Sequence, residues 1–329
     1  MDDKQKKLWQ AGLLVFAVLA LGIAVFSVCG SGGMGRKGGS FMWFGGKVVL
    51  KNTGEFETVG IENIDITYSS ENVIFFHSDN ESIVIKEYLR KNRKDETRME
   101  KEGNTLVVEK TDGVSFSFFG GWWGSERIEV YLPKDYKGNI KTRVSSGNIQ
   151  TNVPLELGTF ELKASSGNIT CGEITASEFT AEASSGNITV EAVDALRKCR
   201  TTSGNITVRG GNGDTRASAN SGNIDVREIS GSFDGSATSG NIDVDFVQAG
   251  SKITASASSG NVEIKIPEET WVSYEGSASS GNIKTDFDDS LTYNKEGNHA
   301  SGTYAGGGTG AETEIRTDTT SGNIRVRFR

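Results

Sequence analysis

Ser203-Gly204-Asn205-Ile206-Thr207-Val208 is followed eighteen residues on by Ser221-Gly222-Asn223-Ile224-Asp225-Val226, and after eighteen more by Ser239-Gly240-Asn241-Ile242-Asp243-Val244. Working outward, the same signature appears earlier at Ser146-Gly147-Asn148-Ile149, Ser166-Gly167-Asn168-Ile169 and Ser185-Gly186-Asn187-Ile188. It appears later at Ser259-Gly260-Asn261-Val262, Ser280-Gly281-Asn282-Ile283 and Ser321-Gly322-Asn323-Ile324. The glycine separations are 20, 19, 18, 18, 18, 20, 21 and 41 residues. The last is nearly two periods, and Ser301-Gly302 falls inside it as a degenerate copy.

A sustained period of this length is the signature of a solenoid. Period-two alternation makes its local elements strands. In Phe179-Thr180-Ala181-Glu182-Ala183-Ser184-Ser185, one face carries Phe179, Ala181, Ala183 and Ser185, and the other Thr180, Glu182 and Ser184. Past the Gly186-Asn187 corner, Ile188 and Val190 point inward while Thr189 and Glu191 meet water. Glycine supplies permissive torsion angles at each corner, and stacked asparagines are placed to form a ladder. A single coil has two unsatisfied sheet edges, so its neighbours must complete it. Nine such intervals from Gly147 to Gly322 span about 43 Å at roughly 4.8 Å per coil. The inward alanines predict a narrow core without a ligand cavity.

The 329 residues include 35 Lys+Arg against 43 Asp+Glu, a net charge of -8, with 42 Gly, 3 Pro and 3 Cys. That composition excludes collagen, a cysteine-stapled scaffold and a generic nucleic-acid binder. The expected class is all-β: one β-solenoid, or β-helix-like, repeat domain over 146–329, with an irregular β-rich amino-terminal cap over 45–145, preceded by one transmembrane helix.

That helix is expected over residues 8–30, which contain no charged side chain and are long enough to cross a hydrocarbon core of roughly 30 Å. Lys4, Lys6 and Lys7 precede it and favour an inside amino terminus, leaving 1–7 as a short cytoplasmic tail. A cleaved signal peptide is the alternative, but no Ala-x-Ala site ends the run. Cys29 suggests lipidation, yet Val28 stands where a small residue is expected. Residues 31–44 read as a glycine-rich juxtamembrane linker. The implied location is a single-pass bacterial cell-membrane protein with its β domain extracytoplasmic.

In the cap, Val48-Val49-Leu50, Ile61 to Ile66, Val73 to Phe76, Ser82 to Ile85, Thr105 to Val108 and Ile128 to Leu132 are strand candidates. Lys86 to Glu102 holds seven basic and five acidic residues and reads as a solvated hairpin or loop. Phe116, Phe118, Phe119, Trp122 and Trp123 crowd a glycine-broken turn. Exposed, they make an interaction site; folded over the core, they seal the cap.

Catalytic and cofactor signals are sparse. His77 and His299 lack neighbours at metal-ligand spacing. Cys171 and Cys199 occupy different places in the repeat and form no Cys-x-x-Cys pair. Gly210-Gly211-Asn212-Gly213-Asp214 lacks the repeating pattern of a calcium-binding turn, and no phosphate-binding loop is present. The sequons at Asn168, Asn187 and Asn205 follow from the corner itself. No catalytic residue, metal or cofactor is expected, and acidic pairs such as Asp243 with Asp245 read as a solvated face.

The repeated Ser-Gly-Asn-Ile units, with Glu129-Val130-Tyr131-Leu132-Pro133 before them, resemble a bacterial putative-adhesin domain family of unknown biochemical function. The resemblance covers about residues 45 to 329. It implies an extended β-strand repeat on a membrane-anchored envelope protein, in some cases associated with envelope-stress systems, and no catalytic residues. The leading expectation is a noncatalytic adhesion or interaction module held at the membrane through residues 8–30, presenting a rigid β surface to an envelope protein or glycan. The alternatives are a structural or regulatory envelope-stress component and a polysaccharide-processing enzyme. Outside residues 1–40 the chain has 30 basic against 41 acidic residues, a balance of -11 that disfavours nonspecific attraction to an anionic polymer or nucleic acid.

Overall fold

Extended backbone leaves its hydrogen-bonding groups pointing sideways, and here each coil satisfies them on the coils above and below. The computed structural model describes residues 48–93, 97–110, 126–308 and 312–329. Their strands join in a single sheet of 24 strands. Each central coil has one run before the Ser-Gly-Asn corner, one after it and a short third run. In one coil these are centred on Phe179, Ile188 and Val193.

The pairing is parallel and in register. Ile149, Ile169, Ile188, Ile206, Ile224, Ile242 and Val262 lie side by side after the corner. Phe160, Phe179, Arg197, Thr215, Phe233 and Ile253 do so before it. Nearest the corner the inward positions shrink to Ala164, Ala183, Ala219, Ala237 and Ala257, so the core tapers there. Phe179, Ala181 and Ala183 are buried as the alternation predicts, but Ser185 is exposed, because the corner breaks the period of two.

The coils do not stack in chain order. At the amino-terminal end, Asn63–Tyr68 lies between Thr105–Lys110 and Asn139–Val144. Asn72–His77 likewise lies between Arg127–Leu132 and Ile149–Thr151. At the other end, Thr313–Ser321 inserts between Ile242–Ser259 and Val272–Ser280, and Ile324–Phe328 inserts between Val262–Ile266 and Ile283–Thr285. Parallel coils thus already begin at Asn63. Ser301-Gly302 is no corner: it belongs to His299–Tyr304, which pairs antiparallel with Val272–Ser280 and Leu291–Tyr293.

Antiparallel strands occur at the two ends, where they terminate the stack and limit its open edges. Ser82–Arg90 pairs with Val48–Glu57 and Arg127–Leu132, and Thr97–Glu102 pairs with Thr105–Lys110. The charged interval 86–102 is therefore not a hairpin closed on itself. At the carboxyl end the rings of Tyr274, Phe287, Tyr304 and Phe328 pack with centroids 5.1 to 5.9 Å apart and cover the last coil.

The membrane part of the sequence reading requires correction. Among the described residues no helix is long and apolar enough to cross a membrane. The helical element there is a three-residue 3-10 turn, Asp288–Ser290, and the remaining elements are strands. Residues 8–30 lie outside the described residues. The transmembrane helix, the membrane as partner and the single-pass membrane location are accordingly not carried forward.

Candidate functional site

The corner is the most repeated surface of the protein. Gly147, Gly167, Gly186, Gly204, Gly222, Gly240, Gly260, Gly322 and Gly281 follow one another along the stack. A Cβ on any of them would fall 1.8 to 2.1 Å from a carbonyl oxygen of the preceding corner, far inside contact distance. Close approach of backbones, more than torsional freedom, therefore demands glycine: Gly147, Gly167 and Gly186 meet this limit without a positive φ.

Beside the glycines, each asparagine side-chain Oδ1 accepts a hydrogen bond from the backbone N–H of the next corner's asparagine. The ladder runs from Asn148 through Asn168, Asn187, Asn205, Asn223, Asn241 and Asn261 to Asn323 and Asn282, with distances of 2.8 to 3.1 Å. It also starts one coil earlier than the sequence reading recognised, since Asn148 N–H donates to Asn72 Oδ1 at 2.8 Å. Ser69-Ser70-Glu71-Asn72-Val73 is a corner with glutamate in the glycine place.

The serine that precedes each glycine, from Ser146 to Ser321, is exposed in every one of the nine corners. The residue before it is also exposed and is always Ser, Thr or Asn. Among the described residues, none of those nine serine hydroxyls hydrogen-bonds within the chain. The corners thus form a neutral ridge of free hydroxyls and amides, repeated at the coil spacing.

Glu71 opens a different locus at the amino-terminal end. Its carboxylate is fully buried and accepts from Lys110 Nζ at 2.8 Å and Ser70 N–H at 3.0 Å, with Arg93 also 2.8 Å away. Arg93 also pairs with Glu126, so this basic residue of the charged interval and Lys110 beyond it are consumed internally. Arg98 pairs with Glu100, Glu102 and Glu109. Burial pushes the Glu71 carboxyl up, but Lys110, the Ser70 N–H and Arg93 outweigh it and hold the group below its ordinary value.

Neighbouring Glu87, also buried, is held above its ordinary value, first by burial and then by the Glu71 charge, although the Thr97 hydroxyl donates to it. A carboxyl whose folded pKa is raised stabilises the fold below the ordinary carboxylate range and loses that contribution as pH rises through the folded value. Glu87→Gln keeps an acceptor for Thr97 and removes the titration. We expect the wild-type melting temperature to fall relative to the variant on the alkaline side of the ordinary carboxylate range. Parallel melting profiles across that range would refute the assignment.

Cys171 and Cys199 are buried and free, and burial pushes the Cys199 thiol up to about 12, so neither is a thiolate at neutral pH. Asp194 and Asp214, on either side of the glycine-rich 210–213 turn, accept from the backbone N–H groups of Asn212 and Ser232 one coil on, a second, shorter ladder. His77 ends a strand and His299 begins one. Among the described residues no group of three or more His, Cys, Asp or Glu is placed to hold a metal ion. Phe116, Phe118, Phe119, Trp122 and Trp123 lie outside the described residues.

Fold and corner together define a parallel β-solenoid whose turns are locked by a glycine-asparagine ladder. The chain belongs to the Toastrack DUF4097 family, whose model matches residues 61–327. No curated protein matches it. Among solved structures it is similar to a putative adhesin from Bacteroides fragilis NCTC 9343, at 13% identity over 86% of this chain and 97% of that one, with a TM-score of 0.46. It is also similar to a putative adhesin from Parabacteroides distasonis ATCC 8503, at 14% identity over 85% and 98% of the two chains, with a TM-score of 0.44. A putative adhesin from Parabacteroides merdae ATCC 43184 matches at 14% identity over 86% and 97%, with a TM-score of 0.42.

Proposed function

We propose that this chain is a noncatalytic, adhesin-like interaction module that binds a repetitive polymer along the corner ridge. The observation that carries this reading is the row of exposed serines in nine successive corners, whose hydroxyls have no use inside the chain. Glycine and asparagine at the corner are explained by packing and by the ladder; serine is not. A line of hydroxyls at one fixed spacing matches a ligand that itself repeats, and a rigid stack presents it without ordering cost on binding. The buried carboxylates Glu71 and Glu87 do not compete as an acid-base pair, because neither side chain reaches solvent.

The test is saturable binding of the full-length chain to isolated bacterial envelope polymer. Replacing Ser203, Ser221 and Ser239 together by alanine should weaken binding at least about fivefold. Unfolding should shift by less than about 0.5 kcal/mol for each exposed site. Unchanged binding by a folded triple variant would remove the ridge from the function.

A further inference from the structure

Next to the ridge, the outward residues of the run before the corner form two rows across the coils. One row reads Lys141, Glu161, Thr180, Lys198, Arg216, Asp234. The other reads Arg143, Lys163, Glu182, Arg200, Ser218, Ser236. Almost every cation on this face has a carboxylate. Lys141 meets Glu161 at 2.9 Å, Arg143 meets Asp65 at 3.0 Å, Lys163 meets Glu182 at 3.0 Å and Lys198 meets Glu178 at 2.8 Å. Further along, Lys252 and Arg316 both pair with Glu314.

Arg200 and Arg216 are the exceptions. Both are exposed, sit on adjacent coils, and make no ion pair or side-chain hydrogen bond among the described residues. They line one shallow groove of about 330 Å³ together with Ser218, Asp234 and Ser236, and with Lys198 and Glu182, which are paired with Glu178 and Lys163. The whole-chain balance of -8 conceals this local excess of positive charge.

We propose that Arg200 and Arg216 form a binding site for an acidic polysaccharide, a chain whose sugar units carry carboxylates beside hydroxyls. The inference rests on the polymer-binding reading above and names the polymer's class. Two guanidinium forks on neighbouring coils, roughly 5 Å apart along the stack and offset by two residues along the strand, can each hold a carboxylate through paired N–H donors. Asp234 lies beside Arg216 in register, and its carboxylate accepts from hydroxyl donors. Ser218 and Ser236 continue the Arg200 row with a pair of hydroxyls, Ser236 donating to Ser218 at 3.1 Å. The ligand must therefore offer an anion and hydroxyls one coil apart. A uronic-acid chain does so, whereas an acidic peptide would set its own carboxylates against Asp234. The groove is open at the surface, which suits a chain passing across it.

The experiment measures binding of the full-length protein to polygalacturonate, to its methyl ester and to polyglutamate, with Arg200→Gln/Arg216→Gln as the variant. Polygalacturonate should bind saturably and more weakly as salt is raised, and the variant should bind it roughly tenfold or more weakly while melting unchanged. Absence of polygalacturonate binding, equal binding by the folded variant, or equally tight binding of the methyl ester overturns the site. Polyglutamate binding as tight as polygalacturonate overturns the sugar assignment. If the arginine variant keeps wild-type affinity for isolated envelope polymer while the serine variant loses it, the groove fails and the ridge reading stands. If the wild-type chain binds no envelope polymer, the general reading fails.

Discussion

Ile206→Asp is expected to destabilise the domain by about 4 kcal/mol or more, by combining lost apolar burial with a polar group that has no partner. Ile206 is fully buried, and its in-register neighbours are Ile188 and Ile224, themselves buried. No cation lies in that row to accept the charge. The introduced carboxyl would have a raised folded pKa, so part of the deficit should return as pH falls below the ordinary carboxylate range. The denaturant midpoint measures the effect, with Ile206→Val, at about 1 kcal/mol, as the control for lost volume alone. One coil on, Asp225 faces outward and pairs with Arg227 at 2.7 Å. Asp225→Ala should cost less than about 0.5 kcal/mol. Equal midpoints for Ile206→Asp and Asp225→Ala would contradict the inward and outward assignment of this strand.

Gly222→Ala is the second large effect. Its Cβ would lie 1.9 Å from Gly204 O, and all three of its nearest neighbours are backbone atoms that no side-chain rotation can move away. The φ of +150° adds strain for any residue with a Cβ. Relief requires the two coils to part, which breaks the 3.0 Å bond from Gly204 N–H to Ser221 O and the 2.8 Å ladder bond from Asn223 N–H to Asn205 Oδ1. We expect a loss of about 3 kcal/mol or more, measured by denaturation. Because each coil touches only its neighbours, the melting should lose cooperativity around this coil. Gly307→Ala, whose Cβ would enter open space, is the control and should change little. A Gly222→Ala chain as stable as Gly307→Ala would show that the corners do not approach as closely as drawn.

Arg197 marks where a rule based on residue type and a rule based on position part company. Counting from Phe160 and Phe179 places it inward, but an arginine invites an outward reading. The structure buries it fully, and its guanidinium donates to Val193 O at 3.0 Å, Gly210 O at 3.1 Å and Gly213 O. Burial depresses its pKa, with Cys199 and the acidic side chains of Asp194 and Asp214 opposing that shift. Position prevailed because the two terminal nitrogens reach backbone carbonyls around the third run, which replaces most of the solvent the side chain lost, although Nε is left without a partner. Asn72 was overlooked for the reverse reason. Its place in the ladder is intact, but Glu71 hides the motif by standing where every other corner has glycine.

The groove at Arg200 and Arg216 was invisible for a third reason. Sequence shows how many charges a chain carries, but not which carboxylate each cation meets on the next coil. Arg200 and Arg216 are sixteen residues apart and lie diagonally on adjacent coils, and only stacking reveals that Lys163 and Lys198 are neutralised while these two arginines are not.

By itself, then, the sequence determined the unit: strand, corner, strand, with the corner residues and the inward rows readable because alternation and period are local properties of the chain. It did not determine which unit lies on which. Every corner offers its neighbours the same glycine carbonyl and the same asparagine acceptor, so Asn261 is as well suited chemically to Asn282 as to Asn323. The tertiary structure chose Asn323, inserting the final coil between two earlier ones and closing the end with antiparallel strands and aromatic rings. Equivalent edges carry no information about order; that is decided by the sum of long-range pairings that leaves the fewest edges open.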